Sequence, residues 1–116
     1  MIHLSEKKCV ACEGGVLPLG ENEIKVYLSQ VKDGWQVVDL SASLGASNKK
    51  IQKEFKFEDF KKAMEFVNKV ADIAEEESHH PDIYIFYNMV KIELWTHAVN
   101  GLSENDFILA AKIDKI

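Results

Sequence analysis

The most regular pattern of hydrophobic and polar positions predicts a long amphipathic helix over residues 57–77. Apolar residues recur there every three or four positions, which places them on one face of a helix, and mostly polar residues fill the other face. These apolar residues are Phe57, Phe60, Met64, Val67, Val70, Ala71 and Ala74. Glu58 and Asp59 lie at the predicted N-terminus, where the helix dipole favours negative charge. One face of this helix is therefore expected to be buried.

Alternation between apolar and polar residues predicts a β-hairpin after Pro81. Its strands are expected over residues 83–87 and 90–96, with Asn88 and Met89 as a two-residue loop. The other predicted elements are a helix over 21–31, strands over 35–40 and 50–56, a loop over 41–48 and a helix that starts at 103–106. Four strands with helices between and after them predict an α+β fold, in which a four-stranded antiparallel sheet has helices packed on one face.

The chain of 116 residues is long enough for one domain, which we expect over residues 21–116, after an N-terminal arm over residues 1–20. The arm holds the pair Cys9-x2-Cys12. No second pair of cysteines completes a zinc ribbon, and Glu13-Gly14-Gly15 predicts a loop where a redox motif would open a helix. We expect the arm to have no catalytic function, and a cysteine–histidine metal site with His3 is the alternative.

The charge and hydropathy of the chain exclude several classes of protein. The formal net charge of −5 argues against a nucleic-acid surface and against a basic patch for membranes. No apolar run approaches the ~20 residues of a membrane span. The first residues lack the apolar stretch of a signal peptide. We expect a cytoplasmic protein that binds neither nucleic acid nor membrane directly.

Three of the four histidines, His79, His80 and His97, lie within one short part of the chain. Imidazole gives and takes protons near neutral pH, because its unperturbed pKa is about 6.5. The predicted hairpin places Ile85 opposite Ile92, and extending this ladder places His80 beside His97. The pattern indicates a proton-transfer site.

The three imidazoles are not expected to share one role. His80 precedes a proline and is therefore expected to be extended, so that His79 and His80 point in opposite directions. His97 has the strand parity of Lys91 and Glu93, which places it off the buried face. Adjacent histidines on an extended segment rarely bind one ion together, and no HExxH pattern is present, so we predict no metal site.

Two carboxylates are candidates for holding these rings. If the long helix continues to His79, Glu75 lies one turn before it and is expected to pair with that imidazole. Asp106 is expected in the first turn of the last helix. There it either orients His97 or serves only as a favourable anion at the helix N-terminus.

These residues form a pattern that resembles the pterin-4a-carbinolamine dehydratases, also known as dimerisation cofactors of a homeodomain transcription factor. The resemblance covers about residues 20–116. It is carried by Glu75-x3-His79-His80-Pro81, Tyr87, Thr96-His97 and Gly101-Leu102-Ser103-x2-Asp106, together with Gly34-Trp35, Phe55-Lys56-Phe57-x2-Phe60 and Leu109-Ala110-x2-Ile113-Asp114. Several residue types recur there at several fixed spacings, so the combined pattern is specific.

The resemblance implies a reaction, the loss of water from 4a-hydroxytetrahydropterin to give the quinonoid dihydropterin, with the pterin as substrate and no cofactor. It implies that His79 and His97 are the acid–base groups, that Asp106 supports His97 and that His80 holds the pterin. The other residues implied at the site are Ser78, Pro81, Trp95, Thr96 and Ala98, with Glu75 in support.

The resemblance also implies a homodimer or homotetramer, working beside an aromatic amino-acid hydroxylase in tetrahydrobiopterin recycling, or in molybdopterin metabolism. Two other classes of function stay open. One is a non-enzymatic interaction protein that acts through its oligomer surface, as some relatives act on transcription factors. The other is a metal-binding module.

Overall fold

The computed structural model describes residues 3–10, 17–39 and 49–116. Its centre is an antiparallel sheet of four strands in the order β1-β2-β4-β3. The strands are β1 (Gln36–Asp39), β2 (Lys49–Lys56), β3 (Asp82–Phe86) and β4 (Met89–Leu94), and the helices are α1 (Glu21–Leu28), α2 (Phe60–Glu77) and α3 (Glu104–Ile113). The predicted α+β class is confirmed. The loop predicted over 41–48 and the strand end at Leu40 lie outside the described residues.

The hydrophobic core lies between the sheet and the helices, as the two sequence periodicities require. The alternate residues Val90, Ile92 and Leu94 of β4 are fully buried, and Ile51 of β2 joins them. The same core cluster contains helix residues spaced by three or four positions: Ala63, Phe66, Val67 and Val70 of α2, and Phe107, Ala110 and Ile113 of α3. Among the described residues, no helix has the length and apolar composition needed to cross a bilayer.

Helix α2 begins three residues later than predicted, because Asp59 is its N-cap. The Asp59 side chain accepts a hydrogen bond from the Lys62 backbone N–H at 2.9 Å. Phe57 is instead tied to the hairpin, since its N–H donates to the Asn88 carbonyl at 2.8 Å. The helix ends at Glu77, as predicted, and Ser78 follows in the left-handed conformation with a φ of 52°.

The predicted register of the hairpin is wrong by two residues. Phe86 pairs with Met89 and Ile85 with Val90, so the loop consists of Tyr87 and Asn88 rather than Asn88 and Met89. Tyr87 takes a positive φ of 51°, and Met89 is held in the sheet by pairing on both sides. A shift of two residues leaves each side chain on its predicted face.

The corrected register also changes the lower end of the hairpin. The ladder between β3 and β4 ends at the pair Asp82 and Glu93. Strand β4 ends at Leu94, and residues His97–Val99 form a short 3₁₀ turn. The extended ladder that was expected to bring His80 beside His97 is therefore not formed.

The first described residues of the chain pack onto helix α3. Leu4, in a 3₁₀ turn over Leu4–Glu6, is 3% exposed and belongs to the hydrophobic core. Further along, the Leu19 N–H donates to the Leu102 carbonyl at 2.9 Å. The Leu19 contact places the end of the arm beside Leu102, just before the first turn of α3, which carries Asp106.

Candidate active site

A histidine and a buried aspartate form the centre of the site. His79 follows the left-handed Ser78, and its N–H donates to the Ala74 carbonyl at 3.2 Å, so the chain turns sharply out of α2. This turn directs the imidazole to the first turn of α3, where His79 Nε2 lies 2.7 Å from Asp106 Oδ1. The His79 side chain is 13% exposed and that of Asp106 is fully buried.

Asp106 is held from three sides. Besides His79, its carboxylate accepts the Thr96 hydroxyl at 2.8 Å and the Ser103 backbone N–H at 3.0 Å, both on Oδ2. The second of these bonds is part of the capping box of α3. The carboxylate is therefore fixed in one orientation before any substrate is present. The expectation that Asp106 orients His97 is wrong, because the C-terminus of α2 brings His79 to this carboxylate.

His97 is exposed, as predicted, but it lies in the 3₁₀ turn after β4 rather than on the strand. Its ring packs against Trp95, with 3.8 Å between the ring centroids and 35° between the planes. Trp95 is anchored in turn by a hydrogen bond from its Nε1 to Asp82 Oδ2 at 3.3 Å. An aromatic surface therefore sets the position of the His97 imidazole.

His80 pairs with Glu75, and this pairing corrects the expected one between Glu75 and His79. His80 Nε2 lies 2.6 Å from Glu75 Oε2, and both side chains are exposed. The helix ends at Glu77, so His79 does not continue the helical face of Glu75. As predicted, His79 and His80 have separate partners on different sides of the chain.

A cavity of about 340 Å³ opens beside His79. Of the residues implied at the site, Ser78, Thr96 and Ala98 line it with His79. The other lining residues are Glu76, Glu77 and Asn105, with Lys8, Cys9 and Val10 from the arm. A volume of this size is within the range of small-molecule sites. His80, Pro81, Trp95 and His97 are not part of its lining, and they surround the neighbouring end of the sheet.

A family model described as "Pterin 4 alpha carbinolamine dehydratase" matches residues 17–116. The chain belongs to this family. A protein of Rickettsia canadensis (strain McKiel), named "Putative pterin-4-alpha-carbinolamine dehydratase", is 49% identical over 114 residues, which are 98% of this chain and 97% of that protein. The resemblance drawn from the sequence is thereby confirmed.

Solved structures that are similar to this one include two described as pterin dehydratase or pterin dehydratase-like proteins. The "transcriptional coactivator/pterin dehydratase from Brucella Melitensis" has 37% sequence identity and a TM-score of 0.74, over 84% of this chain and 96% of that chain. A "pterin dehydratase-like protein" identified as "a RuBisCO assembly factor in the alpha-carboxysome" has 24% identity and a TM-score of 0.55, over 71% of this chain and 87% of that chain. The second likeness shows the fold alone.

The family's histidine pattern was readable in the sequence, whereas the contribution of the arm was not. Glu77 accepts the Cys9 N–H at 2.8 Å and lies 3.4 Å from Lys112 Nζ. Burial raises the pKa of Glu77, but the Cys9 hydrogen bond and Lys112 outweigh it, and the pKa lies below its ordinary value. Glu77 therefore brings an ionised carboxylate to the wall of the cavity. No sequence periodicity connects residue 9 with residue 77.

The described part of the chain contains no set of side chains that could bind a metal ion, as the metal-binding alternative would require. Within residues 3–10, 17–39 and 49–116, no three His, Cys, Asp or Glu side chains are grouped as a metal site requires. Cys12 and the Glu13-Gly14-Gly15 loop lie outside the described residues. The imidazoles of His79 and His80 are instead each paired with a carboxylate.

Proposed function

We propose that this protein dehydrates 4a-hydroxytetrahydropterin to the quinonoid dihydropterin by general acid–base catalysis. The observation that carries the proposal is the 2.7 Å contact between His79 Nε2 and the fully buried Asp106, at the wall of a cavity. Membership of the pterin carbinolamine dehydratase family supports the same reaction. The buried carboxylate and the mostly buried imidazole form a positioned proton-transfer unit.

The chemistry needs two proton movements and no change of oxidation state. The C4a hydroxyl leaves as water, so its oxygen must receive a proton as the C–O bond breaks. The N5 proton is lost, and the electron pair of the N–H bond forms the new double bond to C4a. Loss of water balances the reaction, which therefore needs no redox cofactor. Positioned acid–base groups typically accelerate such steps by ~10²–10⁴-fold.

Asp106 selects the nitrogen of His79 that reacts. In the tautomer whose Nε2–H donates a hydrogen bond to the Asp106 carboxylate, Nδ1 carries the lone pair. Nδ1 is then the nitrogen that exchanges protons with the substrate. The carboxylate also stabilises the imidazolium that forms when Nδ1 takes up a proton. Thr96 and Ser103 keep Asp106 from rotating away during this exchange.

His97 is the second acid–base group in this proposal. One of the two imidazoles protonates the leaving hydroxyl and the other accepts the N5 proton. His80, held by Glu75, binds the pterin, and the adjoining, tilted ring of Trp95 sets the position of His97. The remaining residues that line the pterin are Ser78, Pro81, Thr96 and Ala98.

The setting of the reaction follows from the substrate class. We place the protein in the cytoplasm, where it returns the carbinolamine product of a pterin-dependent hydroxylase to the pterin pool. Aromatic amino-acid hydroxylases are the natural source of this substrate, and tetrahydrobiopterin recycling is the process. The pterin is a substrate, and no resident cofactor is needed.

The test is the dehydration of a chemically generated 4a-hydroxytetrahydropterin, followed by stopped-flow absorbance. We expect His79→Ala and His97→Ala each to lower kcat by ~10²–10⁴-fold, because each removes one proton-transfer group. The effects of groups that act as a unit are non-additive. The double variant should therefore lower kcat by much less than the product of the two single-variant factors. His3→Ala, which removes an exposed imidazole outside the site, is the matched control. Full kcat in both folded variants would refute the mechanism.

A second candidate function is that of a non-enzymatic oligomeric interaction protein. It is favoured by the exposed aromatic residues Phe86 and Tyr87 at the tip of the edge strand β3. The relative from Brucella melitensis is described as both a coactivator and a dehydratase. If the folded, unmodified protein does not dehydrate the carbinolamine, this interpretation replaces the enzymatic one.

A further inference from the structure

We propose that the arm segment Lys8–Val10 is a wall of the pterin cavity and that Asn105 is the positioning residue that holds it there. The inference rests on the proposed function, because it assigns the segment to the substrate of that site. All three residues of the segment line the cavity beside His79. The arm was expected to have no catalytic function, and its cysteine motif pointed to no role in pterin chemistry.

Asn105 holds the arm as a neighbouring β-strand would. The Val10 N–H donates to Asn105 Oδ1 at 3.0 Å, and Asn105 Nδ2 donates to the Val10 carbonyl at 2.6 Å. One side-chain amide thus satisfies both polar groups of one backbone residue. Asn105 is 4% exposed, so these two bonds engage the polar groups of a buried amide, and losing them is costly. The position of Val10 is therefore tightly specified.

Cys9 is tied to both helices that form the site. Its N–H donates to Glu77 Oε1 at 2.8 Å, two residues before His79. Its thiol lies 3.6 Å from the Asn105 carbonyl, to which it donates. Glu77 is itself 8% exposed and is held by Lys112. The arm therefore crosses between the end of α2 and the start of α3, beside the cavity.

The arm has further anchors outside the cavity. Lys7 Nζ lies 2.9 Å from Glu104 Oε2, the oxygen that also accepts the Tyr27 hydroxyl. The hydrogen bond from Lys7 lowers the pKa of Glu104, which keeps this carboxylate ionised. Leu4 is buried in the core. These anchors keep the arm attached to the domain when the contacts at the cavity alone are broken.

Three consecutive residues in the first turn of α3 connect the arm with the acid–base unit. Glu104 binds Lys7, Asn105 binds Val10 and Asp106 binds His79. The arm and the reactive imidazole are therefore positioned by the same rigid turn. Breaking the Asn105 contacts should open one side of the cavity while Asp106 and His79 stay in place. The expected consequence is weaker pterin binding with nearly unchanged chemistry.

The kinetic test is Asn105→Ala in the full chain. We expect KM for the carbinolamine to rise by about tenfold and kcat to change by less than about threefold, since the acid–base unit is not touched. Asn88→Ala is the matched control, because Asn88 also bonds a backbone carbonyl, that of Phe57, at the hairpin far from the cavity. An unchanged KM in Asn105→Ala, with normal turnover in the unmodified protein, would overturn the inference.

A second measurement uses the Cys9 thiol as a reporter and does not depend on turnover. In a Cys12→Ser protein with Asn105 intact, the rate of Cys9 alkylation by iodoacetamide is followed by mass spectrometry. Bound 7,8-dihydrobiopterin, a stable pterin without the 4a-hydroxyl group, should slow alkylation at least fivefold. His79→Ala should keep this protection. If saturating pterin does not slow the alkylation of Cys9, the proposal that Lys8–Val10 is a wall of the pterin cavity is refuted.

The two measurements separate this inference from the proposed function. If the unmodified protein fails to dehydrate the carbinolamine, the proposed reaction is wrong, while pterin protection of Cys9 would still support the wall. If the protein turns over normally without protection of Cys9, the arm inference alone is wrong. Circular dichroism confirms folding of each variant.

Discussion

At the scale of single residues, the decisive feature is a carboxylate that is fully buried yet fully bonded. Asp106 accepts from Thr96 and Ser103 and contacts His79, so its charge is compensated by hydrogen bonds rather than by a Lys or Arg partner. Burying the Asp106 carboxylate costs free energy of desolvation. A group with only a structural role would not need a buried charge at this position. Its location beside a cavity imidazole is typical of a residue that orients an acid–base group.

Asp106→Asn is expected to lower kcat by ~10–100-fold with little change in KM, because the amide no longer holds the reactive tautomer of His79. It should also lower the free energy of unfolding by about 1–3 kcal/mol, since a buried partner is mismatched. Stopped-flow kinetics and urea denaturation measure the two effects.

Asp114→Asn is the matched control for Asp106→Asn. Asp114 is a nearly buried carboxylate that accepts from Trp35 Nε1 and Lys53 Nζ, away from the cavity. We expect Asp114→Asn to lower the free energy of unfolding and to leave kcat unchanged. Equal loss of kcat in both variants would mean that Asp106 acts only through folding.

At the scale of elements, the site depends on how α2 ends. The left-handed Ser78 directs His79 toward α3, and the buried Glu77, in the last turn, fastens the arm through Cys9. These features lie within three residues of each other. A helix one turn longer would separate the imidazole from its carboxylate and the arm from its anchor.

The contact between α2 and the arm is expected to weaken in acid. The folded-state pKa of Glu77 lies below its ordinary value of 4.5, mainly because the Cys9 N–H and Lys112 favour the carboxylate over the opposing effect of burial. Its stabilising contribution is therefore present above pH ~4.5 and is lost as the pH falls through the lower folded value. Urea denaturation at pH 7 and at pH 3 measures this loss.

Glu77→Gln tests the origin of that acid sensitivity. The variant should be less stable than the unmodified protein at pH 7, and the difference between the two should shrink toward pH 3. Glu65→Gln, which changes an exposed carboxylate of the same helix, is the control and should leave the pH dependence unchanged. If the difference in free energy of unfolding between Glu77→Gln and the unmodified protein stays constant from pH 7 to pH 3, Glu77 is not the origin of the acid sensitivity.

At the scale of the whole molecule, the sheet presents exposed apolar residues at the edge formed by β3. Strand β3 is an edge strand, and Ile85, Phe86 and Tyr87 at its end are exposed. Exposed apolar edge strands are templates for pairing with another chain. The histidine site lies at the other end of this strand, and its described residues do not include the exposed tip.

We expect the protein to form a homodimer or homotetramer, with two or four times the mass of one chain by light scattering at micromolar concentration. Phe86→Lys should shift the population toward smaller species, because it places a charge on the edge that we expect to be covered. His3→Lys, at another exposed position, is the control. A strict monomer would contradict the assembly and leave the dehydration chemistry untouched.

The sequence by itself determined the features that depend on local periodicity. The apolar spacing of α2 and the alternation in β4 predicted both elements, since each pattern reports which side chains face the core. The spaced histidines, together with the other residues at fixed spacings around them, identified the family, whereas proton transfer stays a prediction.

Only the tertiary structure decided which groups meet. Asp106 pairs with His79 rather than His97 because the end of α2 packs against the start of α3, a contact between residues 27 positions apart. Glu75 pairs with His80 because the helix ends at Glu77, and the hairpin register depends on the positive φ of Tyr87. The contact of Val10 with Asn105 joins residues 95 positions apart. Periodicity reports the face of an element, whereas these pairings depend on where elements end and how they pack.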